Sequence, residues 1–162
     1  MTGTTHLLCG ASAGIAFSLF TSSPVGTATL IVLAAGTGSL LPDIDTATSK
    51  LGQKTAPVSW VIRILFGHRQ MFHSATFWAL PILALLYLFP GASTLVMAGA
   101  IGVITHLLLD ALNPAGVPLL WPLPKRFIFG NCRCRGIVDL LLALAFAATT
   151  VLLLLLYFRS VI

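Results

Sequence analysis

Five stretches of almost uninterrupted apolar residues fill most of this chain. They cover residues 6–20, 25–41, 74–89, 92–112 and 137–158. A helix that crosses a bilayer needs about 20 apolar residues, within a range of about 17–25. The last two stretches reach that length, whereas the first three are short, and we expect those to lie in locally thinned bilayer or to be partly covered by neighbouring helices. Only 8% of the 162 residues are charged, compared with about 25% in soluble domains, so the chain has too little polar surface for a water-soluble globule.

The segments between the apolar stretches predict how the helices are connected. Residues 22–24 (SSP) and residues 90–91 (PG) form tight turns after the first and third stretches. Residues 57–66 (PVSWVIRILF) predict a short helix in the membrane interface. A GxxxG pattern at residues 10–14 allows close helix contact, which we expect within the bundle. The predicted fold is therefore all-α, a polytopic membrane bundle of about five transmembrane helices plus a short interfacial helix, in a single domain of residues 1–162.

The basic residues predict the orientation of this bundle. Eight of the nine lie in the two longer connections, residues 42–73 and 113–136: Lys50, Lys54, Arg63, Arg69, Lys125, Arg126, Arg133 and Arg135. With five spans, both connections lie on one side, and the positive-inside rule makes that side cytoplasmic. We expect an integral protein of a bacterial or archaeal cytoplasmic (inner) membrane with a cytoplasmic N-terminus. The first stretch lacks a preceding basic region, so we do not expect a cleaved signal peptide. No nucleic-acid partner is expected, because the basic residues do not gather in one arm or helix.

The acids and histidines of the chain all fall at one end of the predicted helices. The sequence has four Asp, four His and no Glu: His6, Asp43, Asp45, His68, His73, His106, Asp110 and Asp139. Each maps to the predicted cytoplasmic end of an apolar stretch. Ionisable residues close to a bilayer are costly and usually face a bundle interior or a wet cavity. Several carboxylates buried together also need a counter-charge, which a divalent metal ion supplies.

The spacing of these residues indicates a metal site. His106 and Asp110 are four residues apart, so they share one helix face and can hold one ion. Asp43 and Asp45 are two apart in an extended or turn segment beginning at Pro42, and they can point to the same side. Mixed imidazole and carboxylate ligands suit zinc first, then manganese or iron.

Each residue also has a simpler interpretation when it is taken alone. His6 can cap a helix, and the LPDID segment can be a turn that stops one. His68 beside Arg69 can be a solvated loop residue or a substrate contact. Asp139 can balance Arg135 or favour a helix N-terminus. It is the gathering of all eight residues on one face that favours a metal site.

The ordered motifs His6, LLPDID, HRxxxHS and HLLLD resemble those of a known family. They are similar to the YdjM-like inner-membrane proteins, described as membrane-bound metal-dependent hydrolases and linked to LexA regulation. The resemblance runs from His6 to about Pro122 and includes the Trp121–Pro122 pair. That family in turn resembles zinc-dependent phospholipases C and related single-strand nucleases.

The resemblance implies a set of metal ligands, which are His6, Asp45 (or Asp43), His73, His106 and Asp110. In those enzymes the Asp of the HxxxD pair bridges two metals, which implies that role for Asp110. They also hold a third zinc with further His and Glu residues downstream. Here no His follows His106 and no Glu is present, so one or two ions are expected rather than three.

The expected function is a membrane-embedded hydrolase that cleaves a phosphoester, phospholipid-like, at the cytoplasmic face. Asp43 or Asp139 is the expected general base, and a second metal or Arg69 is expected to stabilise charge on phosphate oxygens. Lys125 and Arg126 are expected to attract anionic headgroups of membrane lipids. One alternative is a metal or proton transporter, although the outer halves of the spans are almost purely apolar. The other is a non-catalytic membrane protein with a structural metal.

Overall fold

Five α-helices make up the bundle in the computed structural model of the protein, which describes residues 1–45 and 70–161. They are α1 (Gly3–Phe20), α2 (Val25–Gly38), α3 (Ala75–Leu88), α4 (Ser93–Ala111) and α5 (Ile137–Val161). Short 3-10 turns at Leu41–Asp45 and Met71–His73 follow α2 and precede α3. Within the described ranges the only β pairing is an isolated bridge between Val117 and Phe127. The predicted helical membrane bundle is confirmed, while the predicted interfacial helix at 57–66 lies outside the described residues.

Four helical segments are long and apolar enough to cross a membrane: α1, α2 together with the turn that continues it to Asp45, α4 and α5. Helix α3 is the exception. It has 14 residues, which rise about 21 Å at 1.5 Å per residue. The hydrocarbon core of a bilayer is about 30 Å thick. By length, α3 therefore reaches only part of the way across, and it carries Pro81 inside its helix.

Helix α1 lies at the centre of the bundle and packs against α2, α4 and α5. Its two GxxxG glycines make close contacts with α2, as predicted. A Cβ atom added to Gly14 would lie 2.9 Å from Cα of Val32, and one added to Gly10 would lie 2.6 Å from Cβ of Ser39. These small residues let the helix backbones approach closely, so the GxxxG pattern serves packing within the bundle.

The outer surface of the bundle is apolar. Leu140, Leu144 and Leu155 on α5 are each about three-fifths exposed, as expected for side chains that face lipid tails. Helix α5 buries the smallest share of its residues among the four spanning helices. The buried acids and histidines instead gather at the end of the bundle where α1 begins and where α2 and α4 end.

Candidate metal centre

Six buried side chains converge at this end of the bundle: His6, Asp43, Asp45, His73, His106 and Asp110. His6 comes from the first turn and a half of α1, and the two aspartates from the turn after α2. His73 comes from the turn before α3, and the HxxxD pair from the end of α4. None of the six is more than 8% exposed. The structure thus brings together all five residues predicted as metal ligands, together with Asp43.

Asp110 is the centre of the cluster, and its two carboxylate oxygens face different histidines. Oδ1 lies 3.2 Å from Nε2 of His6. Oδ2 lies 3.6 Å from Nε2 of His73 and 3.8 Å from Nε2 of His106. The α-amino group of Met1 also donates a hydrogen bond to Oδ1, at 2.7 Å. A carboxylate with one oxygen toward each of two histidine groups has the form expected of a bridging ligand.

His73 is held between the two aspartates of the LPDID turn. Its Nδ1 lies 3.5 Å from Oδ2 of Asp45, and its Nε2 lies 3.9 Å from Oδ1 of Asp43. Burial lowers the pKa of His73, but the nearby carboxylates of Asp110 and Asp45 outweigh it and raise that pKa to about 9. Without a metal ion, His73 therefore carries a positive charge among the carboxylates.

The segment that holds these aspartates takes the second of its two predicted forms, a turn rather than an extended strand. Leu41–Asp45 is a 3-10 helix, in which each residue advances about 120° around the axis. Residues two apart, such as Asp43 and Asp45, are then about 120° apart around that axis. Both carboxylates nevertheless face the His73 ring, where they approach different nitrogens.

His106 is fixed by contacts on both sides of its ring. Its Nδ1 is 2.7 Å from the carbonyl oxygen of Ser39, and its ring stacks on that of His6 with centroids 3.9 Å apart and planes 16° apart. The ring of His73 meets it edge-on at 5.3 Å. These contacts hold Nε2 of His106 toward Asp110.

The cluster fits a divalent metal ion. Four buried ring nitrogens have no hydrogen-bond partner among the described residues: His6 Nδ1, His73 Nδ1, His73 Nε2 and His106 Nε2. Two groups of ligand atoms, His6–His106–Asp110 and Asp43–His73–His106, have members within 4.8 Å of one another. Neighbouring ligands of a tetrahedral zinc ion are about 3.4 Å apart, so the side chains would have to move inward by about 1 Å to enclose an ion. Unpaired buried nitrogens are costly, and bound metal would satisfy one nitrogen of each ring.

The second group contains Asp43 rather than Asp45. Asp45 instead lies on the Nδ1 side of His73, where carboxylates commonly orient a histidine whose other nitrogen binds metal. The geometry therefore favours Asp43 as the ligand and Asp45 as the residue that orients His73.

Asp139 has a different environment. Its carboxylate accepts hydrogen bonds from the hydroxyl of Thr5 at 2.6 Å, the backbone N–H of Arg135 at 2.8 Å and the backbone N–H of Thr2. These bonds join the start of α5 to the start of α1, next to His6. Asp139 belongs to neither ligand group. Its general-base role stays a prediction, and the bonds themselves indicate a residue that holds α1 in place.

Two predicted site residues lie outside the described residues. They are His68, predicted to contact substrate, and Arg69, predicted to bind phosphate. Sequence reasoning also missed two contacts in the described part of the site. The missed contacts are the Ser39 carbonyl and the Thr5 hydroxyl. A backbone carbonyl leaves no signal in side-chain chemistry, whereas Thr5 could have been noticed as a polar residue directly before His6.

Together, the fold and the cluster define a helical membrane protein with a buried histidine–aspartate centre at one end of its bundle. The family described as YdjM inner membrane protein matches residues 1–162, and the chain belongs to this family. It is 43% identical over 104 residues to the inner membrane protein YdjM of Escherichia coli (strain K12) and equally to that of Shigella flexneri. That match covers 60% of this chain and 52% of either relative, so the chain spans about half the length of these relatives.

A third relative comes from a different genus. The uncharacterized protein YvsG of Bacillus subtilis (strain 168) is 36% identical over 124 residues, which cover 75% of this chain and 74% of YvsG. No solved structure shows a significant match. The predicted resemblance to the YdjM family is confirmed, and relatives named inner membrane proteins agree with the apolar spanning helices.

Proposed function

We propose that this protein is a membrane-embedded, metal-dependent hydrolase that cleaves a phosphoester of a membrane lipid at the cytoplasmic face. One observation carries the proposal: three buried histidines, with four unpartnered ring nitrogens among the described residues, surround the Asp110 carboxylate. A purely structural cluster would be expected to satisfy these nitrogens with protein partners.

The proposed metal is zinc, with manganese or iron as alternatives, because the ligands are imidazole nitrogens and carboxylate oxygens. His6, His106 and Asp110 would hold one ion. Asp43 and His73 would hold a second. His106 is common to the two groups, and we propose Asp110 as the shared carboxylate because its Oδ2 lies 3.6 Å from Nε2 of His73. When bound, such an ion supplies Lewis-acid polarisation and a nucleophile at neutral pH.

The chain's own residues supply positioning and proton transfer in this proposal. Asp45 orients His73, and the Ser39 carbonyl orients His106. Asp43 is the most exposed carboxylate of the six-residue cluster, at 8%, so in a one-metal site it is the carboxylate placed to take a proton from an incoming water. Arg69, adjacent to the described range, is proposed to neutralise charge on the phosphate oxygens.

A lipid substrate is proposed because the cluster lies at the ends of helices long enough to span a membrane, where lipid headgroups are expected. The connection that follows α4 carries the exposed side chains of Lys125 and Arg126. Each basic residue near an anionic membrane surface contributes about 1 kcal/mol of attraction. With this connection on the cytoplasmic side, as the distribution of basic residues predicts, these side chains would concentrate anionic headgroups beside the cluster.

A transporter is the less favoured alternative. Ion pathways need polar or ionisable groups across the whole membrane depth. Among the described residues, the polar contacts at mid-helix are those of hydroxyl groups, such as Ser12 with Thr150 at 2.8 Å. The described acids and histidines all lie at one end of the bundle, and Arg159 near the end of α5 is the charged residue at the other end.

Elemental analysis of the detergent-purified protein tests the proposal, followed by hydrolysis assays on phospholipids and generic phosphodiesters. We expect about one or two bound ions in the wild type, and metal-dependent turnover that chelation abolishes and zinc or manganese restores. Metal flux in proteoliposomes would instead indicate a transporter. Bound metal without turnover, with loss of fold on chelation, would indicate a structural metal.

A further inference from the structure

We infer that two glycines, Gly10 and Gly102, position the proposed metal-binding histidines, because they let α1 and α4 pack closely against the end of α2. There the Ser39 carbonyl fixes the tautomer of His106. The expected effect on metal binding rests on the proposed function. The inferred tautomer applies to the metal-free protein as well.

The hydrogen bond between His106 and Ser39 determines which nitrogen can bind metal. A carbonyl oxygen only accepts, so the Nδ1 of His106, 2.7 Å away, carries the hydrogen. Nε2 of the neutral ring then has a free lone pair. That atom is buried and has no hydrogen-bond partner among the described residues, and it faces Asp110 Oδ2 at 3.8 Å. The Ser39 carbonyl thus selects Nε2 as the ligand atom.

Each histidine of the stacked pair lies one helical turn from a glycine that contacts Ser39 or its neighbours. Gly10 follows His6 by four residues on α1, and Gly102 precedes His106 by four residues on α4. Residues four apart lie on the same helix face. The stacked rings therefore lie one helical turn from the glycine contacts, at the same place where α1 and α4 cross the end of α2.

The crossing leaves no room for a side chain at either glycine. A Cβ added to Gly10 would lie 2.6 Å from both Cβ and Oγ of Ser39. A Cβ added to Gly102 would lie 2.7 Å from the backbone nitrogen of Ser39 and would also overlap the carbonyl oxygen of Ala35. Ser39 is fully buried, and its hydroxyl donates to the carbonyl of Gly36 at 2.7 Å. Because backbone atoms limit the space, a methyl group at position 102 must displace the segment that carries the Ser39 carbonyl.

Gly99 provides a matched control on the same helix. A Cβ added there meets one atom within 4 Å, the carbonyl oxygen of Ala34 at 3.9 Å. Gly99→Ala therefore makes the same chemical change in α4 as Gly102→Ala without disturbing the crossing. Helix propensity improves equally in both variants, so it cannot account for a difference between them.

The first measurement is the nitrogen NMR spectrum of metal-free protein labelled with ¹⁵N-histidine, with the His106 signals assigned by their loss in His106→Gln. We expect the wild type and Gly99→Ala to show a protonated Nδ1 and an unprotonated Nε2 at His106. Gly102→Ala should show a mixture of tautomers. An unprotonated Nδ1 in the wild type, or an unchanged spectrum in Gly102→Ala, would overturn the inference.

The second measurement is zinc affinity by chelator competition, together with the absorption spectrum of the cobalt-substituted protein. Gly102→Ala should bind zinc about 10- to 100-fold more weakly, as outer-shell changes do, with an altered cobalt spectrum. A lowered unfolding temperature with unchanged affinity and spectrum would mean that Gly102 serves packing alone. A wild type that binds no metal but has the expected tautomer would refute the proposed function and leave the positioning of His106 supported.

A size-swap pair covers the case in which Gly102→Ala does not fold. Gly10→Ala presses on the Ser39 side chain and, at 2.8 Å, on the carbonyl oxygen of Ala35. Ser39→Gly removes the first of these contacts while keeping the Ser39 carbonyl. We expect Gly10→Ala to weaken zinc binding and the double variant to recover part of the affinity. If the double variant binds zinc as weakly as Gly10→Ala, contact at Ser39 does not position the histidines.

Discussion

Replacement of Asp110 by asparagine is the most direct test of the proposed centre. The substitution keeps the size of the side chain and removes its charge. Asp110 is the carboxylate that lies within 4 Å of all three cluster histidines. Aspartate offers two charged oxygens, one for each ligand group. Asparagine offers a single neutral oxygen that binds metal weakly, so it cannot replace aspartate as a shared ligand.

The size of the expected effect follows from the number of ligands. Structural zinc binds its peptide sites with about 10–16 kcal/mol, or about 2.5–4 kcal/mol for each of four ligands. At about 1.4 kcal/mol per factor of ten, loss of one ligand weakens binding by about 100- to 1,000-fold. A bridging carboxylate serves both ion positions, so we expect Asp110→Asn to lose all bound metal during purification.

Elemental analysis after detergent purification measures this loss, with Asp139→Asn as the matched control. Asp139 is also buried, at 2% exposed, and it is also an aspartate, but its hydrogen bonds go to Thr5, Thr2 and Arg135. We expect Asp139→Asn to keep its metal and to unfold at a lower temperature, because hydrogen bonds to a charged group contribute about 1.5–3 kcal/mol each.

Full metal content in Asp110→Asn would show that the cluster is not the metal centre. Loss of metal in both variants to the same degree would show that the site responds to any disturbance at this end of the bundle. The first result excludes Asp110 as the shared ligand, and the second shows that the loss in Asp110→Asn is not specific to a ligand. A helical circular dichroism spectrum confirms that each variant remains folded.

Three further predictions concern the residues around this centre. First, the pKa of His73 is raised to about 9 from an ordinary 6.5, which stabilises the metal-free protein below pH 6.5. Roughly 3 kcal/mol of this stability is lost as the pH rises through 9. Thermal unfolding of the chelated protein should show the decline, and an unfolding temperature that does not change with pH would contradict it. Second, zinc must displace that proton, so the apparent zinc affinity should rise from pH 6 to pH 8 and should lose most of this slope in His73→Gln. Third, Asp43→Asn should lose more metal than Asp45→Asn, since Asp45 acts through His73; equal losses would mean that both bind the ion directly.

The sequence was sufficient to predict the elements and the gathering of the cluster. The apolar stretches had the length and composition of spanning helices, and the turn residues between them gave the helix boundaries to within a few residues. His106 and Asp110 share a face because their spacing matches the helical period. His6 and His73 are expected near this pair for a different reason, because all four residues map to helix ends on the same side of the bundle.

The details that the sequence did not predict depend on three-dimensional contacts. The LPDID segment forms a 3-10 turn, and that turn decides which aspartate faces which nitrogen of His73. Asp43 or Asp139 is the predicted general base, and in the structure Asp139 accepts hydrogen bonds from Thr5 and Arg135. Neither fact can be obtained from spacing, because the first depends on the turn after α2 and the second on how α1 and α5 meet.

The small residues of this bundle determine both its packing and the geometry of its polar end. In lipid, little hydrophobic force drives helices together, so close backbone approach at glycines supplies much of the association. Here the same approach brings the Ser39 carbonyl to His106 and the His6 ring onto the His106 ring. A larger residue at the crossing would therefore weaken the bundle and misplace the ligands together. This coupling explains why unpartnered buried nitrogens can persist at the end of a membrane bundle: the helices are held by contacts one turn away, whether or not the nitrogens are satisfied.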